Sequence, residues 1–345
     1  MPGAVYRAGR STSVPAAHQG WVRDAAGSYA VAMRQPDTAG GRILTTTHGT
    51  NPLAFGSGDW ARFLSIGLIW GSSFLFIAEA LGSFEPGLIT WVRVALGAST
   101  LWLFRGARRK IAREDLPRVI TLSLLWVAIP FTLFPLAQQH VASAVAGMLN
   151  GGVPLVAAAL GAIMLRALPG RMQLTGLAMG FAGVVLISVP EFGQGHSGPF
   201  GVALIALAVL CYGLAIVIAT PLQQRYGALP VMARMLGLAT VWTAPFGIAS
   251  LPGSSFSWTA IGSVAALGAL GTGLAFVLMG SLVAHVGSTR GSFATYLIPV
   301  VATVLGIGVQ DEEIALLAIA GVAFVIVGAT LASRKERQRA VIGPS

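Results

Sequence analysis

The strongest constraint on this chain is a series of long apolar runs, which fill most of the sequence after residue 62. There are ten, covering approximately residues 63–82, 86–104, 119–137, 141–165, 172–189, 200–222, 230–251, 258–284, 291–309 and 314–333. Most reach the roughly 20 residues that a helix needs to cross about 30 Å of hydrocarbon. A membrane β-barrel would instead show alternating segments of about 10 residues. The sequence therefore predicts an all-α polytopic membrane protein with ten transmembrane helices.

The low charge content excludes a soluble globular domain. Only 10% of the 345 residues are charged and 55% are hydrophobic, whereas a typical soluble domain carries about 25% charged residues. So few charges cannot cover the water-facing surface of a protein of this length. The single cysteine, Cys211, excludes a disulfide within one chain, and no group of side chains has metal-ligand spacing. We therefore expect no cofactor and no metal.

The basic residues predict the orientation of the chain in the membrane. If the N-terminus is inside and the helices alternate, every one of the 22 lysines and arginines except Arg93 lies on the inner side. The outer segments instead carry Glu85, Glu191, Asp311, Glu312 and Glu313. This bias is typical of cytoplasmic loops, so we expect a multi-pass protein of the cell (inner or plasma) membrane with both termini cytoplasmic. Membrane lipid is an expected partner, and nucleic acid is not.

The segments outside the apolar runs predict two tails. Residues 1–60 are mixed in polarity and show no sustained helical period, which predicts a flexible cytoplasmic N-terminal tail. Met33 is an alternative start within it. Residues 334–345 form a second, basic cytoplasmic tail.

An internal repeat organises the membrane part. An offset of 145 residues aligns the fourth and fifth runs with the ninth and tenth, and upstream the offset drifts to 142, where Trp70-Gly71 meets Tyr212-Gly213. The pairs matched at 145 include Pro154 with Pro299, Gly161 with Gly306, Gly176 with Gly321, and Gly183 with Gly328. Coincidences are common in sequences rich in Gly, Ala and Leu, but a shared proline with the same glycine spacing favours a duplication.

The repeat predicts two five-helix units, residues 61–190 and 198–333. Two units with an odd number of helices, joined in tandem, enter the membrane from opposite sides and are therefore inverted relative to one another. Inverted repeats give a protein two conformations of similar energy that open to opposite faces, which is what alternating access requires. Transport is the function that this arrangement favours.

Several motifs resemble those of the EamA-type transporters of the drug/metabolite transporter superfamily. The segment Ile69-Trp70-Gly71-Ser72-Ser73-Phe74 is similar to the Trp-Gly-Ser opening of that family, and Pro86 with Arg93 resembles its proline-to-arginine spacing. Ser292 to Pro299, followed by Gly306, Glu312 and Gly321, is similar to its ending. The resemblance covers roughly residues 62–333. It implies ten helices, a central cavity and movement of small metabolites, amino acids or drugs, often outward.

The chain departs from the family pattern at one point. The family usually has an acidic residue after its fourth helix as well as after its ninth. Glu312 occupies the second position, but the internal alignment places Ala167 at the first. The resemblance therefore carries over no role for this acidic turn.

Arg93 is the first candidate for the site. It lies seven residues into the second helix, about 10 Å below the outer surface at about 1.5 Å per residue. A guanidinium at this depth costs a few kcal/mol unless it is paired or faces water. It could bind an anionic group of the substrate in a cavity, or it could pair with Glu79 or Glu85 and lock the first two helices together.

A helix interruption supplies further candidates. Asn150-Gly151-Gly152-Val153-Pro154 falls near the middle of the fourth helix, and its repeat mate is Thr295-Tyr296-Leu297-Ile298-Pro299. Interrupted helices at matched positions are a sequence pointer to a transport site, although kinks with small-residue packing are also common in membrane helices. We expect Asn150, Pro154, Tyr296 and Pro299 to line the cavity.

The remaining candidates lie in the first and third helices. Trp70 and Trp126 are mid-helix and could stack on a flat substrate or pack in the core, and Ser72 belongs to the Trp-Gly-Ser motif. Glu79 could carry a proton if desolvation raised its pKa, but an ionised carboxylate at the interface is the interpretation that we favour.

The predicted function is a secondary transporter that exports small organic metabolites, amino acids or drugs by alternating access. The glycines at 268–273 lack the following Lys-Ser/Thr of a phosphate loop, and the chain has no ATP-binding module. A proton or other ion is the expected coupling partner, and a homodimer is left open. One alternative is a membrane-embedded enzyme acting on a lipid-linked substrate, for which Asp311-Glu312-Glu313 is the only acidic cluster. Another is a non-transporting scaffold or sensor. The enzyme would need clustered acids, histidines or a metal, so we expect no catalytic residues.

Overall fold

The computed structural model of the protein describes residues 21–23, 29–31, 56–164, 170–193, 198–286 and 293–332. In the first of two compact units, β1 (Trp21–Arg23) and β2 (Tyr29–Val31) pair antiparallel, with Trp21 opposite Val31. Aromatic and β-branched residues such as these favour strands. The sequence analysis predicted a flexible tail here and did not include this pair.

The second unit is helical. Its α-helices are α1 (Ser57–Leu81), α2 (Pro86–Trp102), α3 (Leu116–Leu122), α4 (Ile129–Gln138), α5 (Ser143–Asn150), α6 (Val153–Met164), α7 (Arg171–Gly193), α8 (Gly198–Tyr226), α9 (Ala228–Ala249), α10 (Trp258–Ala265), α11 (Ala275–Val286), α12 (Leu297–Val309) and α13 (Leu316–Ala332). Short 3-10 helices cover Arg105–Arg108, Arg113–Asp115 and Phe293–Tyr296. Two π-helical segments, Ser123–Ala128 and Ala266–Leu274, join α3 to α4 and α10 to α11.

Local sequence explains several helix ends. Pro86 begins α2, where its missing N–H costs no hydrogen bond. The hydroxyl oxygen of Ser257 accepts from the backbone N–H of Ala260 at 3.3 Å and caps α10. Gly227 has a φ of 85°, a left-handed conformation that glycine adopts without strain, and it separates α8 from α9.

Among the described residues, six helices are long and apolar enough to cross a membrane. They are Ser57–Leu81, Arg113–Gln138, Ser143–Gly161, Gly198–Tyr226, Ala228–Ala249 and Trp258–Val283, and Leu174–Ile187, Ala294–Val309 and Leu316–Gly328 are shorter apolar helices. Helix α2 covers the remaining predicted run. The predicted all-α, multi-pass membrane architecture is therefore confirmed for the described residues of the second unit, while the inverted ten-helix arrangement stays a prediction.

The connections between helices gather at two ends of the bundle. At the acidic end, defined here as residues 82–85, 139–142, 250–257 and 310–315, the backbone N–H of Ser255 donates to the carbonyl of Ser83 at 2.8 Å. At the basic end, defined as residues 103–115 and 225–234, Arg234 Nη1 donates to the carbonyl of Ala107 at 3.1 Å. Each set of connections thus makes direct contacts within itself.

Helix pairing is extensive and partly depends on glycines. The largest contact is between α7 and α13, followed by α2 with α9, and α5 and α1 both pack on α12. A Cβ added at Gly183 would lie 2.6 Å from the carbonyl oxygen of Gly321, and one added at Gly328 would lie 2.6 Å from that of Gly176. The α7–α13 backbones therefore touch at these glycines, as in other small-residue membrane contacts.

Glu312 links the two halves of the chain at the acidic end. Its carboxylate accepts from the backbone N–H of Ser143 at 2.6 Å and of Ala144 at 2.9 Å. These are the first residues of α5, whose N-cap residue Ala142 has no side-chain acceptor. A carboxylate at a helix N-terminus satisfies free donors and complements the helix dipole, so Glu312 acts as a long-range cap.

Removal of this cap should destabilise the protein. We expect Glu312→Ala to lower the free energy of unfolding by about 2–3 kcal/mol, because two hydrogen bonds to a charged acceptor are lost. The change is measured by heating the protein in detergent and determining, by size-exclusion chromatography, the fraction that stays monodisperse at each temperature. Glu313→Ala is the matched control, since Glu313 is exposed. Equal melting temperatures for the two variants would contradict the capping role.

Candidate functional site: a cavity between the helices

A cavity of about 140 Å³ lies among the helices of the second unit. Its wall is mostly aromatic and aliphatic. The lining residues are Trp70, Ser73, Phe74, Ile77, Arg93, Trp126, Phe131, Phe134, Asn150, Val153, Tyr212, Ile216, Gly271, Phe276, Thr295 and Ile298. Arg93 is the one charged side chain among them. A mostly apolar cavity with a few polar groups is the usual form of a small-molecule site.

The π-helical segments shape two sides of the cavity. Trp126 belongs to the segment Ser123–Ala128, and Gly271 and Thr272 belong to Ala266–Leu274. The indole of Trp70 donates its Nε1–H to the Gly271 carbonyl at 2.9 Å. This bond holds the Trp70 ring at the cavity wall. π-Helical insertions of this kind are frequent at functional sites.

Arg93 contacts Thr272 and Phe131, and most of its N–H groups have no hydrogen-bond partner among the described residues. Its Nε–H donates to the hydroxyl oxygen of Thr272 at 3.1 Å, and that hydroxyl in turn donates to the Leu267 carbonyl at 2.9 Å. Its guanidinium carbon lies 4.1 Å from the centre of the Phe131 ring. Of the five N–H groups of an arginine side chain, only the Nε–H has a hydrogen-bond partner among the described residues. The side chain is 7% exposed.

The predicted alternative for Arg93, an ion pair with Glu79 or Glu85, is not what the structure shows. The described residues contain no acidic side chain within ion-pair distance of Arg93. Glu79 instead accepts from Gln310 Nε2 at 2.6 Å, and the backbone N–H of Glu85 donates to Ser254 Oγ at 3.0 Å. Glu79 thus bonds to Gln310 at the acidic end, and Glu85 is the N-cap residue of α2. Arg93 therefore brings an uncompensated positive charge to the cavity wall.

This charge determines which solutes the cavity favours. A unit negative charge about 4 Å from a guanidinium gains roughly 4 kcal/mol at an effective dielectric constant of about 20. A cation at the same place is repelled by a similar amount, whereas a cation–π contact with the aromatic wall returns only about 0.5–2 kcal/mol. The electrostatic interaction of Arg93 with a charged group is therefore larger than the cation–π contact with the aromatic wall.

The predicted helix interruption is present in the first half, and the second half has a 3-10 segment at the matched position. Helix α5 ends at Asn150, α6 begins at Val153, and the N–H of Gly152 donates to the Leu149 carbonyl in a tight turn. In the second half, the 3-10 helix Phe293–Tyr296 precedes α12. Asn150 lines the cavity, and its side-chain oxygen is buried without a hydrogen-bond partner among the described residues. It is therefore available to accept from a solute.

The structure brings four of the predicted site residues to the cavity and places five elsewhere. Trp70, Arg93, Trp126 and Asn150 line it. Ser72 instead lies on a separate apolar groove with Phe76 and Val300, because one step along a helix turns a side chain by about 100°. Glu79 lies at the acidic end. Pro154, Tyr296 and Pro299 are also absent from the lining, where Val153, Thr295 and Ile298 take their places.

Sequence reasoning did not identify several lining residues. Phe131 and Phe276 lie against Arg93 and Trp70, and Tyr212 stacks on Phe134 with ring centroids 6.0 Å apart. A phenylalanine in an apolar run carries no sign of which way it faces. The available signal was the repeat, because Tyr212 is the mate of Trp70 at the offset of 142.

Comparison with known proteins gives matches along most of the helical part. The model of the EamA-like transporter family matches residues 60–189 and again residues 199–334. An uncharacterized transporter of Archaeoglobus fulgidus is 24% identical over 77% of this chain and 95% of its own length. The uncharacterized inner membrane transporter YedA of Escherichia coli K12 is 26% identical over 80% of this chain and 92% of its own length.

A solved crystal structure has a similar fold. It superposes with a TM-score of 0.58 at 19% identity, over 80% of this chain and 96% of that chain. The family matches and the transporter relatives point to transport rather than catalysis, and they agree with the family resemblance found in the sequence. The chain is a multi-pass membrane protein that belongs to the EamA-like transporter family.

Proposed function

We propose that the protein is a secondary transporter that moves small organic solutes across the cell membrane by alternating access, in the outward direction that the family resemblance implies. The central cavity is the solute site in this proposal. The units are 61–190 and 198–333, inverted relative to one another, with a proton or another ion as the coupling partner and both termini cytoplasmic. The observation that carries the proposal is the composition of the cavity wall.

Twelve of the sixteen lining residues are mates in the internal repeat. At the offset of 142, Trp70 corresponds to Tyr212 and Phe74 to Ile216; at 145, Trp126 corresponds to Gly271, Phe131 to Phe276, Asn150 to Thr295 and Val153 to Ile298. Two halves related by a half-turn would bring equivalent residues to the same central space. This pairing supports a two-fold axis through the cavity.

Helix packing gives independent support. A Cβ at Gly71 would lie 2.6 Å from Cγ1 of Val301, and one at Gly213, the mate of Gly71, would lie 2.6 Å from Cγ1 of Val156, the mate of Val301. The two contacts of α7 with α13 are likewise exchanged by the repeat, since Gly183 meets Gly321 and Gly176 meets Gly328. The π-helical segments also overlap at the offset of 145. These correspondences are expected for inverted repeats.

Two-sided labelling tests alternating access without a known solute. In a Cys211→Ser background, we expect Val153→Cys and Ile298→Cys, one lining position from each half, to react with a membrane-impermeant maleimide in right-side-out and in inside-out vesicles. Reaction from both sides is expected because the cavity opens to each face in turn. The vesicles should stay impermeable to a small dye, since a carrier has no continuous pore.

Two exposed positions serve as controls. Leu103 at the basic end is 78% exposed and Phe256 at the acidic end is 73% exposed. Leu103→Cys and Phe256→Cys should each react from one side of the membrane only, and the two sides should be opposite. Reaction of both controls from the same side would reject the inverted arrangement. Reaction of both lining cysteines from one side only would indicate the fixed pocket of an enzyme or sensor instead.

A further inference from the structure

The four lining residues without a repeat mate in the cavity are Ser73, Ile77, Arg93 and Phe134, and all belong to the first half. Arg93 is therefore a chemical feature that the repeat does not explain. It is also more than nine-tenths buried, and its four Nη–H donors have no protein partner among the described residues. A buried guanidinium in this condition is costly in a membrane unless another group pairs with it.

The position of Arg93 is fixed before any solute binds. Thr272 accepts its Nε–H, and the Phe131 ring covers one face of the guanidinium. Thr272 has no exposed surface and is itself oriented by its bond to Leu267. The outer edge of the guanidinium, which carries the Nη–H groups, is thus presented in one orientation. Such an edge matches the two oxygens of a carboxylate.

We infer that the cavity binds small organic monoanions, with a carboxylate on the Nη–H groups of Arg93 and a flat apolar body between the aromatic rings. One guanidinium balances one negative charge, and the described lining contains no second cation for a dianion. Trp70, Trp126 and Phe276 supply the faces for the apolar body, since aromatic side chains bury large apolar areas in defined geometries. This inference rests on the transport function proposed above and names its substrate class.

Three compounds with the same phenyl body test the charge. Purified protein is titrated with phenylacetate, phenylacetamide and phenylethylamine, and isothermal titration calorimetry measures binding. We expect phenylacetate to bind more tightly than the amide by on the order of tenfold to a hundredfold, the range for hydrogen bonds to a charged group. Phenylethylamine should bind more weakly than the amide, because its ammonium is repelled by Arg93.

Three variants locate the preference. Arg93→Gln should bind the carboxylate and the amide equally, and Arg93→Lys should keep the preference with affinity lower by on the order of tenfold, because an ammonium lacks the paired donors. Arg234→Gln is the matched control, since Arg234 lies at the basic end and bonds to the carbonyls of Ala107 and Pro230. It should bind all three compounds as the native protein does. Melting curves establish that each variant is folded.

The inference would be overturned by tighter binding of the amide or the amine, by binding of none of the compounds at millimolar concentrations, or by an unchanged preference in Arg93→Gln. Failure of the transport proposal is detected separately, because two-sided labelling of the lining cysteines requires no solute. A protein that passes that test but prefers the amine would be a carrier of a different substrate class.

Discussion

Gly183→Ala should lower the free energy of unfolding by about 2–3 kcal/mol, the cost of overpacking a close contact. The added Cβ would lie 2.6 Å from the Gly321 carbonyl oxygen and 2.7 Å from the backbone nitrogen of Val325. Both atoms belong to the backbone of α13, so a rotamer change cannot relieve the overlap and the two helices must move apart. Thermal denaturation in detergent and the yield of monodisperse protein measure the effect.

A glycine outside such contacts provides the control. A Cβ at Gly161 would meet nothing within 4 Å, and alanine is favoured over glycine in a helix by about 1 kcal/mol. Gly161→Ala should therefore leave the melting temperature unchanged or raise it. If Gly183→Ala behaved like Gly161→Ala, the α7–α13 contact would not be the close glycine interface described above.

Asp115→Ala should lower the free energy of unfolding by a similar amount, about 2–3 kcal/mol. The Asp115 side chain is 4% exposed and accepts from Arg118, Arg225 and the Tyr226 hydroxyl at 2.8–2.9 Å. Its loss leaves the buried Tyr226 hydroxyl without its acceptor and separates the start of α3 from the end of α8. The exposure of both arginines keeps the expected effect below that of a fully buried ion pair.

Glu114→Ala tests whether burial or charge is responsible. Glu114 bonds to the same Arg225 at 3.0 Å, but its side chain is 68% exposed, and surface ion pairs contribute little. We expect a melting temperature close to that of the native protein. Equal losses for Glu114→Ala and Asp115→Ala would show that the net charge of this region, rather than the buried carboxylate, stabilises the basic end.

The sequence was sufficient to predict the helices because their signal is long and uniform. Each apolar run coincides with helical structure, and Gly151-Gly152 with Pro154 marked a real interruption between α5 and α6. The pair of strands β1 and β2 was not predicted, since three-residue strands are too short for a pattern of alternation to be recognised. The π-helical segments also lack a sequence signature, although they shape the cavity.

The sequence predicted how far along each helix the site residues lie, but not which side of the helix faces the cavity. Asn150 was expected to line the cavity and does, but at the two prolines the lining residue is one position earlier, at Val153 and Ile298. A lipid-facing phenylalanine such as Phe181, which is 71% exposed, cannot be told by composition from the cavity residue Phe131. Arg93 was identified because a charge at that depth must either be paired or face water.

The hydrogen bonds from the start of α5 to Glu312 tie α5 to the segment that follows α12 at the acidic end. The charged carboxylate of Glu312 makes this connection in the second half. The first half has Ala167 at the equivalent position, and alanine has no carboxylate with which to make the same bond. If the two halves of a carrier rock against each other, the tied end of the α5–α12 pair moves least. The relative movement of α5 and α12 would then be largest at the opposite end of the pair, towards the cytoplasm in the proposed orientation.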